Sequence, residues 1–383
     1  MENNTAPKKD RSGLDYYLLG AVLIMMALGL LMVMSSSGIM AERAYGDHYY
    51  FFKKQGIYTI LGLVVIYITY KMPVKFFYKT VYLWLLAALI LLLLTLTPLG
   101  ISAGGASRWL YFGLATFQPL EFAKVALVLY LAYFFSHKQD KVKTFSVGFL
   151  PPVLVTGTIA LILILQPDFG GAVFLTAMLF FMSLVGGTRL VYLLSSALLC
   201  TGVGALMIRE SPYRLQRWMA FLEPFEHAKD VGYQVVQSFY GLGAGGVFGK
   251  GLGAGKQKLF YLPEAHTDFI LAVLGEEMGF VGVSLVLLCL AVIVFRCFKN
   301  AFERYELQDR FTILGLALNI VLGGLLNIAV ALGAVPPKGQ PMPFISYGGS
   351  NMIMMSFSVG LILNIAGREN VKTSPVVSRL NKK

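Results

Sequence analysis

Leu18-Leu19-Gly20-Ala21-Val22-Leu23-Ile24-Met25-Met26-Ala27-Leu28-Gly29-Leu30-Leu31-Met32-Val33-Met34 contains no charge, hydroxyl or amide side chain. A helix needs about 20 mostly apolar residues to cross the hydrocarbon core of a bilayer. Lipid offers backbone groups no partners, so only helices and closed barrels cross it. Barrel strands are short segments of alternating polarity, and this run does not alternate. No A-x-A cleavage site follows it, so it is expected to remain as a first transmembrane helix.

Outward from this run the pattern repeats. Apolar stretches near 14–36, 55–71, 76–97, 119–136, 147–165, 170–187, 190–208, 268–295, 310–333 and 347–366 predict an all-α polytopic integral membrane protein with about ten transmembrane helices. The least separated pair is 170–187 and 190–208, divided only by Gly186-Gly187-Thr188-Arg189. Composition agrees: 57% of the 383 residues are hydrophobic and 14% charged, whereas soluble domains are about 25% charged. With the N-terminus inside, 19 Lys and Arg residues fall on inner segments and 5 on the short outer loops. Basic residues collect on the cytoplasmic side, so both termini are expected there, and the net charge of +12 gives no reason to invoke nucleic acid. The expected layout is a cytoplasmic tail 1–13, a membrane domain 14–366 with one large extracytoplasmic loop 209–267, and a cytoplasmic tail 367–383. Cys200, Cys289 and Cys297 lie in or beside apolar runs and outline no disulfide framework. The four histidines are scattered, without metal-ligand spacing.

Polar groups at membrane depth cost about 2.5–3.5 kcal/mol on insertion scales, so each needs a reason. Glu121 and Lys124, at i and i+3 after Gln118-Pro119, can pair on one helix face. They are either a structural tie or the lining of a polar cavity. Asp168, after Gln166-Pro167 and before Phe169-Gly170-Gly171, suits an N-cap or a site. Arg214 and Arg217 lie in a stretch, 213–219, that alternates as an interfacial helix would. In 232–238 a helix puts Gln234 and Ser238 on one face. The glycine run 241–255 is no P-loop, since Gly251 follows Lys250 where Ser or Thr belongs. Its backbone with Lys250, Lys256 and Lys258 suits a diphosphate, or simply a close-packed turn. Asp268, after Glu264-Ala265-His266-Thr267, falls at a helix start. It is either a carboxylate stabilised by the helix dipole or a base at the edge of a low-dielectric cavity. Four prolines within 336–343, around Lys338, forbid a regular helix, and Ser346-Tyr347-Gly348-Gly349-Ser350 begins the last span.

In order along nearly the whole chain, these motifs resemble the SEDS family of FtsW, RodA and SpoVE proteins. The matching segments are Gly105-Ala106-Ser107-Arg108-Trp109-Leu110, Gln118-Pro119-Leu120-Glu121-Phe122-Ala123-Lys124 and Gln166-Pro167-Asp168. They continue with Gly232-Tyr233-Gln234, Gln237-Ser238, Gln257-Lys258-Leu259-Phe260-Tyr261-Leu262-Pro263-Glu264, Thr267-Asp268-Phe269 and Pro343-Phe344-Ile345-Ser346-Tyr347-Gly348-Gly349-Ser350. The stretch 257–266 looks more like the FtsW/SpoVE branch than the RodA branch. Leu120 and Asn351 depart from the family pattern, in which Ser is usual at both places.

The resemblance implies a peptidoglycan glycosyltransferase of the bacterial cytoplasmic membrane, serving division or sporulation. It implies polymerisation of lipid II, a disaccharide on an undecaprenyl diphosphate carrier, beside a class B penicillin-binding protein transpeptidase and other division or sporulation proteins. The family's essential acid maps onto Asp268 and its loop tryptophan onto Trp109. Passing from an α-linked donor to a β-1,4 product suits one inverting displacement, with Asp268 as base. The diphosphate is expected to meet fixed cations (Arg108, Lys124, Arg214, Arg217, Lys250, Lys258) or a divalent ion such as Mg or Mn, with no organic cofactor. Further candidate contacts are Trp109, Glu121, Asp168, Gln234, Gln237, Ser238, Glu264, His266, Lys338, Ser346, Tyr347, Gly348, Gly349 and Ser350. The rival reading is a lipid II flippase or other lipid transporter, which uses the same polar residues as a path.

Overall fold

The computed structural model describes residues 13–103, 106–111, 113 and 116–368. Most of both expected tails, and Gly105 of the first motif, lie outside the described residues. Helix α1 (Tyr16–Tyr45) begins where the Asp15 carboxylate accepts from the Leu18 amide at 3.1 Å. It ends on Gly46, whose φ of 70° is left-handed. Helix α2 is Tyr50–Lys71. The span expected over 76–97 is instead two helices, α3 (Val74–Lys79) and α4 (Val81–Leu94), divided at Thr80. The Thr80 hydroxyl donates to the Phe76 carbonyl at 2.7 Å, a local bond of the kind that competes with the helix ladder.

The next loop holds a small antiparallel sheet that the sequence reading did not anticipate. Its strands are β1 (Gly100–Ala103), β2 (Ala106–Tyr111) and β3 (Thr116–Phe117), with Ile101 opposite Trp109 and Leu110 opposite Phe117. Strands of two to six residues are too short to impose a readable alternation.

There follow α5 (Pro119–His137), α6 (Leu150–Leu165), α7 (Phe169–Gly186), α8 (Leu190–Arg209), α9 (Pro212–Leu222), α10 (Tyr233–Gly245), α11 (Ile270–Glu303), α12 (Leu307–Ala331) and α13 (Gly349–Ala366). The closely spaced pair α7 and α8 are separate helices because Gly187 ends α7 at φ 89°. Among the described residues, nine helices are long and apolar enough to cross a membrane, and the 14-residue α4 is a shorter tenth. The protein is therefore a multi-pass α-helical membrane protein.

Helices α5 and α13 form its centre, buried on nearly every face, whereas only Leu193 of α8 is buried. Both ends of the described chain lie at one end of the bundle. Gly13, Asp15 and Ala366 line a common cavity of about 270 Å³ with Arg296 and Asn300. The connecting loops that carry most of the candidate residues lie at the other end.

The large loop folds back onto α11. Gly279 leaves the helical conformation (φ 65°, ψ −159°), which frees backbone groups that lipid cannot satisfy. The glycine run supplies the partners. Phe280 donates to Gly246 at 2.9 Å and Val281 to Val247 at 3.1 Å, while the Lys250 and Gly251 amides donate to the Glu276 and Glu277 carbonyls at 3.0 Å. A Cβ on Gly245 would collide with the Gly275 carbonyl, so glycine is what permits this approach.

Candidate active site

Three segments converge at the loop end: the turn 261–269 before α11, the proline loop 332–348 between α12 and α13, and the turn into α7. Asp268 lies two residues ahead of α11, outside the helix. Three consecutive carbonyls of its turn are held by hydrogen bonds. His266 O accepts from the Tyr347 amide at 2.9 Å and Thr267 O from Ser346 Oγ at 2.5 Å. Asp268 O accepts from Asn327 Nδ2 at 2.8 Å. The same Asn327 nitrogen donates to Gln340 O at 2.8 Å.

The Asp268 carboxylate borders Gly339, where an added Cβ would sit 3.0 Å from Oδ2. Burial pushes this carboxyl up to about 7; the Glu264 carboxylate adds to the rise, and Arg108 and Arg217 oppose it. Glu264 itself is held at φ 56° and accepts from Thr267 Oγ1 at 2.7 Å.

One residue from Gly339, the Lys338 side chain runs across Gly170, where any Cβ would strike its Cε. Lys338 Nζ ends buried, 5.3 Å from the Phe174 ring centre, with no hydrogen-bond partner among the described residues. Burial pushes the amine down to about 7. Lys124 lowers it further, Asp168 and Glu121 raise it, and Arg108 lowers it.

Below it, Lys124 Nζ donates to Glu121 Oε1 at 2.7 Å, with both side chains fully buried. Asn351 Nδ2 donates to Glu121 Oε2 at 3.0 Å, and Lys124 sits 4.4 Å over Phe174. The pair therefore ties α5 to α13 and α7. Asp168 caps α7 by accepting from the Gly171 amide at 3.0 Å, and its Oδ1 is 3.8 Å from Arg108 Nε. Arg108 also donates to Pro167 O at 3.1 Å.

The sequence matches the family model described as cell cycle protein, FtsW/RodA/SpoVE, over residues 16–371. The chain belongs to the FtsW/RodA/SpoVE family. It is 40% identical over 366 residues to the probable peptidoglycan glycosyltransferase FtsW of Trichlorobacter lovleyi, covering 95% of this chain and 96% of that protein. It is 39% identical to the corresponding protein of Coxiella burnetii, covering 92% and 96%. Among solved structures it is similar to a chain of a peptidoglycan synthase complex that coordinates polymerisation and crosslinking (29% identity, TM-score 0.77, 92% and 97% covered). It is also similar to the rod shape determining protein RodA of Thermus thermophilus (27%, TM-score 0.67, 92% and 96%).

This FtsW/RodA/SpoVE fold brings together Asp268, Glu264, Arg108, Arg217, Asp168 and Lys338, with Glu121 and Lys124 beneath. Trp109 is half-buried in β2, next to Arg108. Arg214 donates to Met207 O at 3.0 Å and lies 5.5 Å from the Phe169 ring. Gln234 and Gln237 are half-buried on α10, and Ser238 donates to Ala331 O at 2.7 Å, fastening α10 to α12. Buried His266 and half-buried Tyr347 pack on Phe51, at 4.8 and 5.0 Å between ring centres; burial depresses the His266 imidazole. Gly348 precedes α13, Gly349 packs on the Tyr58 ring, and Ser350 Oγ accepts from the Gln118 amide at 2.9 Å.

Two of the glycine-run lysines, Lys250 and Lys258, are already engaged, while Lys256 is exposed. Lys250 pairs with Glu276 at 2.9 Å and Lys258 with Glu277 at 2.7 Å. Each carboxylate also accepts backbone amides, Lys256 and Gln257 on Glu276 and Gly253 on Glu277. Sequence reasoning missed Asn327, Gly170 and Gly339. Only Asn327 carried a signal, as an amide inside an apolar span.

An apolar cavity of about 350 Å³ opens beside the site, lined by Tyr58, Leu91, Phe117, Gly349, Ser350 and Ile353 among others. No group of three His, Cys, Asp or Glu side chains among the described residues converges to hold a metal ion.

Proposed function

We propose that this chain polymerises lipid II into β-1,4-linked glycan at the outer face of the cytoplasmic membrane. The observation that carries the reading is a partly buried carboxylate, Asp268, bordering Gly339 in the loop that delivers the buried, unpartnered Lys338 amine. The acceptor sugar hydroxyl gives its proton to the Asp268 carboxylate as its oxygen attacks the donor anomeric carbon. The bond from that carbon to the diphosphate oxygen breaks on the opposite face, which inverts the α-linkage to β. Lys338 and Arg108 neutralise the departing diphosphate. The apolar cavity suits the polyprenyl chain. A divalent ion would find few protein ligands here and would be held chiefly by the diphosphate itself.

The excess of basic residues on the opposite face supports cytoplasmic termini and an outward-facing site. The likeness to a synthase that couples polymerisation to crosslinking supports a penicillin-binding transpeptidase as partner. The test is Asp268→Asn in purified protein given lipid II. Losing the base is expected to lower the rate by about 10²–10⁴-fold, and polymerisation at the wild-type rate would refute the assignment.

A further inference from the structure

Asp268 can act as a base only if its turn holds a fixed distance from the loop that carries Lys338, because a misplacement of about 1 Å costs on the order of 10²-fold. The turn's own hydrogen bonds all run to Glu264, from the Thr267 and Phe269 amides at 3.2 Å and from Thr267 Oγ1 at 2.7 Å, so they close the turn on itself without tying it to the rest of the fold. It precedes the first residue of α11, it includes Glu264 in the left-handed region, and its carboxylate makes no hydrogen bond among the described residues. What holds it comes from beyond it in the chain, from α12 and from the loop that follows α12.

We infer that Asn327 is the positioning residue that locks the base-bearing turn to the Lys338–Gly339 segment. Asn327 lies on α12, is 1% exposed, and donates from one amide nitrogen to Asp268 O and Gln340 O, each at 2.8 Å. An NH₂ group has two protons, so one side chain satisfies one carbonyl on each loop. Ser346 repeats the device one residue back: it accepts from the Met342 amide at 2.8 Å and donates to Thr267 O. Asn327 touches no reacting atom in this reading. It acts through Asp268, and through Gln340, two residues from Lys338.

The inference rests on the reading of Asp268 as base, and the test separates the two. Asn327→Leu keeps the side-chain size and removes both donors. In the lipid II polymerisation assay kcat is expected to fall about 10²-fold while KM stays within a few-fold, since Asn327 touches no substrate and the groups it positions, Asp268 and Lys338, act on the attacking hydroxyl and on the departing diphosphate. The acid limb of the kcat/KM profile is expected to move to lower pH. A loosened turn admits water to Asp268 and weakens the desolvation that raises it, leaving Glu264, Arg108 and Arg217 as the charged groups that face it.

Ser346→Ala, which frees the Thr267 carbonyl and the Met342 amide but leaves the Asp268 carbonyl held, is expected to shift both readouts in the same direction by less. It serves if Asn327→Leu does not fold. An unchanged kcat would overturn the inference. So would a loss of kcat with the acid limb unmoved, because a merely structural residue lowers the active fraction without changing the base. Asp268→Asn run alongside reports on the base itself: if that variant polymerises normally, the reading of the site fails whatever Asn327 does.

Discussion

Lys338→Met keeps a straight side chain across Gly170 and removes the amine. With its value pushed down to about 7, Lys338 loses its charge as pH rises through neutrality. Asp268 has the opposite requirement. As a base it must be ionised, and with a value of about 7 it becomes ready only as pH rises through neutrality.

The two groups thus limit activity from opposite sides, and kcat/KM of the wild type is expected to follow a narrow bell centred near pH 7. Removing one fixed donor to developing charge costs about 10²–10³ in kcat, or about 2.7–4 kcal/mol. The residual activity of Lys338→Met should keep the acid limb and lose the alkaline one. The assay is lipid II polymerisation across the neutral pH range. An alkaline limb that survives in Lys338→Met would refute the assignment of that limb to Lys338.

Gly170→Ala places a methyl where the Lys338 stem now lies; alanine costs a helix nothing intrinsically. The fold is therefore expected to persist, with an unchanged unfolding midpoint in detergent, while polymerisation falls toward the Lys338→Met level. Glu277→Ala strips the partner from Lys258, whose side chain is 7% exposed, and leaves the Ser35 hydroxyl and Gly253 amide without their acceptor. Breaking a buried pair from one side costs about 3–5 kcal/mol, so thermal unfolding should show a large destabilisation, more than Lys250→Ala causes at a pair whose lysine is 35% exposed.

The sequence made most of this architecture legible because apolar runs in lipid permit little besides helices. It placed the spans to within a few residues except where local side-chain chemistry intervened, as at Thr80. The same rule explains what stayed hidden around Gly279. A helix break in lipid must be repaired by distant backbone, and no local pattern in 270–303 announces that 246–251 will supply the partners. The site was legible in its parts and not in its assembly. Asp268 and Asp168 could be named from cost and context, and Arg108 and Lys338 only as candidates that the family resemblance implied. That Lys338 reaches across Gly170, while Lys250 and Lys258 are taken up by Glu276 and Glu277, depends on pairings between residues 19 to 168 positions apart.

Those pairings also separate structural charge from reactive charge. A carboxylate buried without a partner is costly, and the fold answers almost everywhere at this end of the bundle. Glu121 has Lys124 and Asn351, Asp168 has the Gly171 amide and Arg108, Glu276 has Lys250 and two amides, and Glu277 has Lys258, Ser35 and an amide. Each is a fixed part of the scaffold, its oxygens already taken up as hydrogen-bond acceptors. Asp268 is the exception: its backbone carbonyl is held and its carboxylate is left open. Lys338 is the matching exception among the lysines, the one whose buried Nζ lacks a partner among the described residues. Two unanswered groups of opposite kind, a carboxylate that borders Gly339 and an amine on the residue before it in the chain, are what a displacement needs at its two ends. A scaffold that only docked other proteins would have no reason to leave either one unpaired.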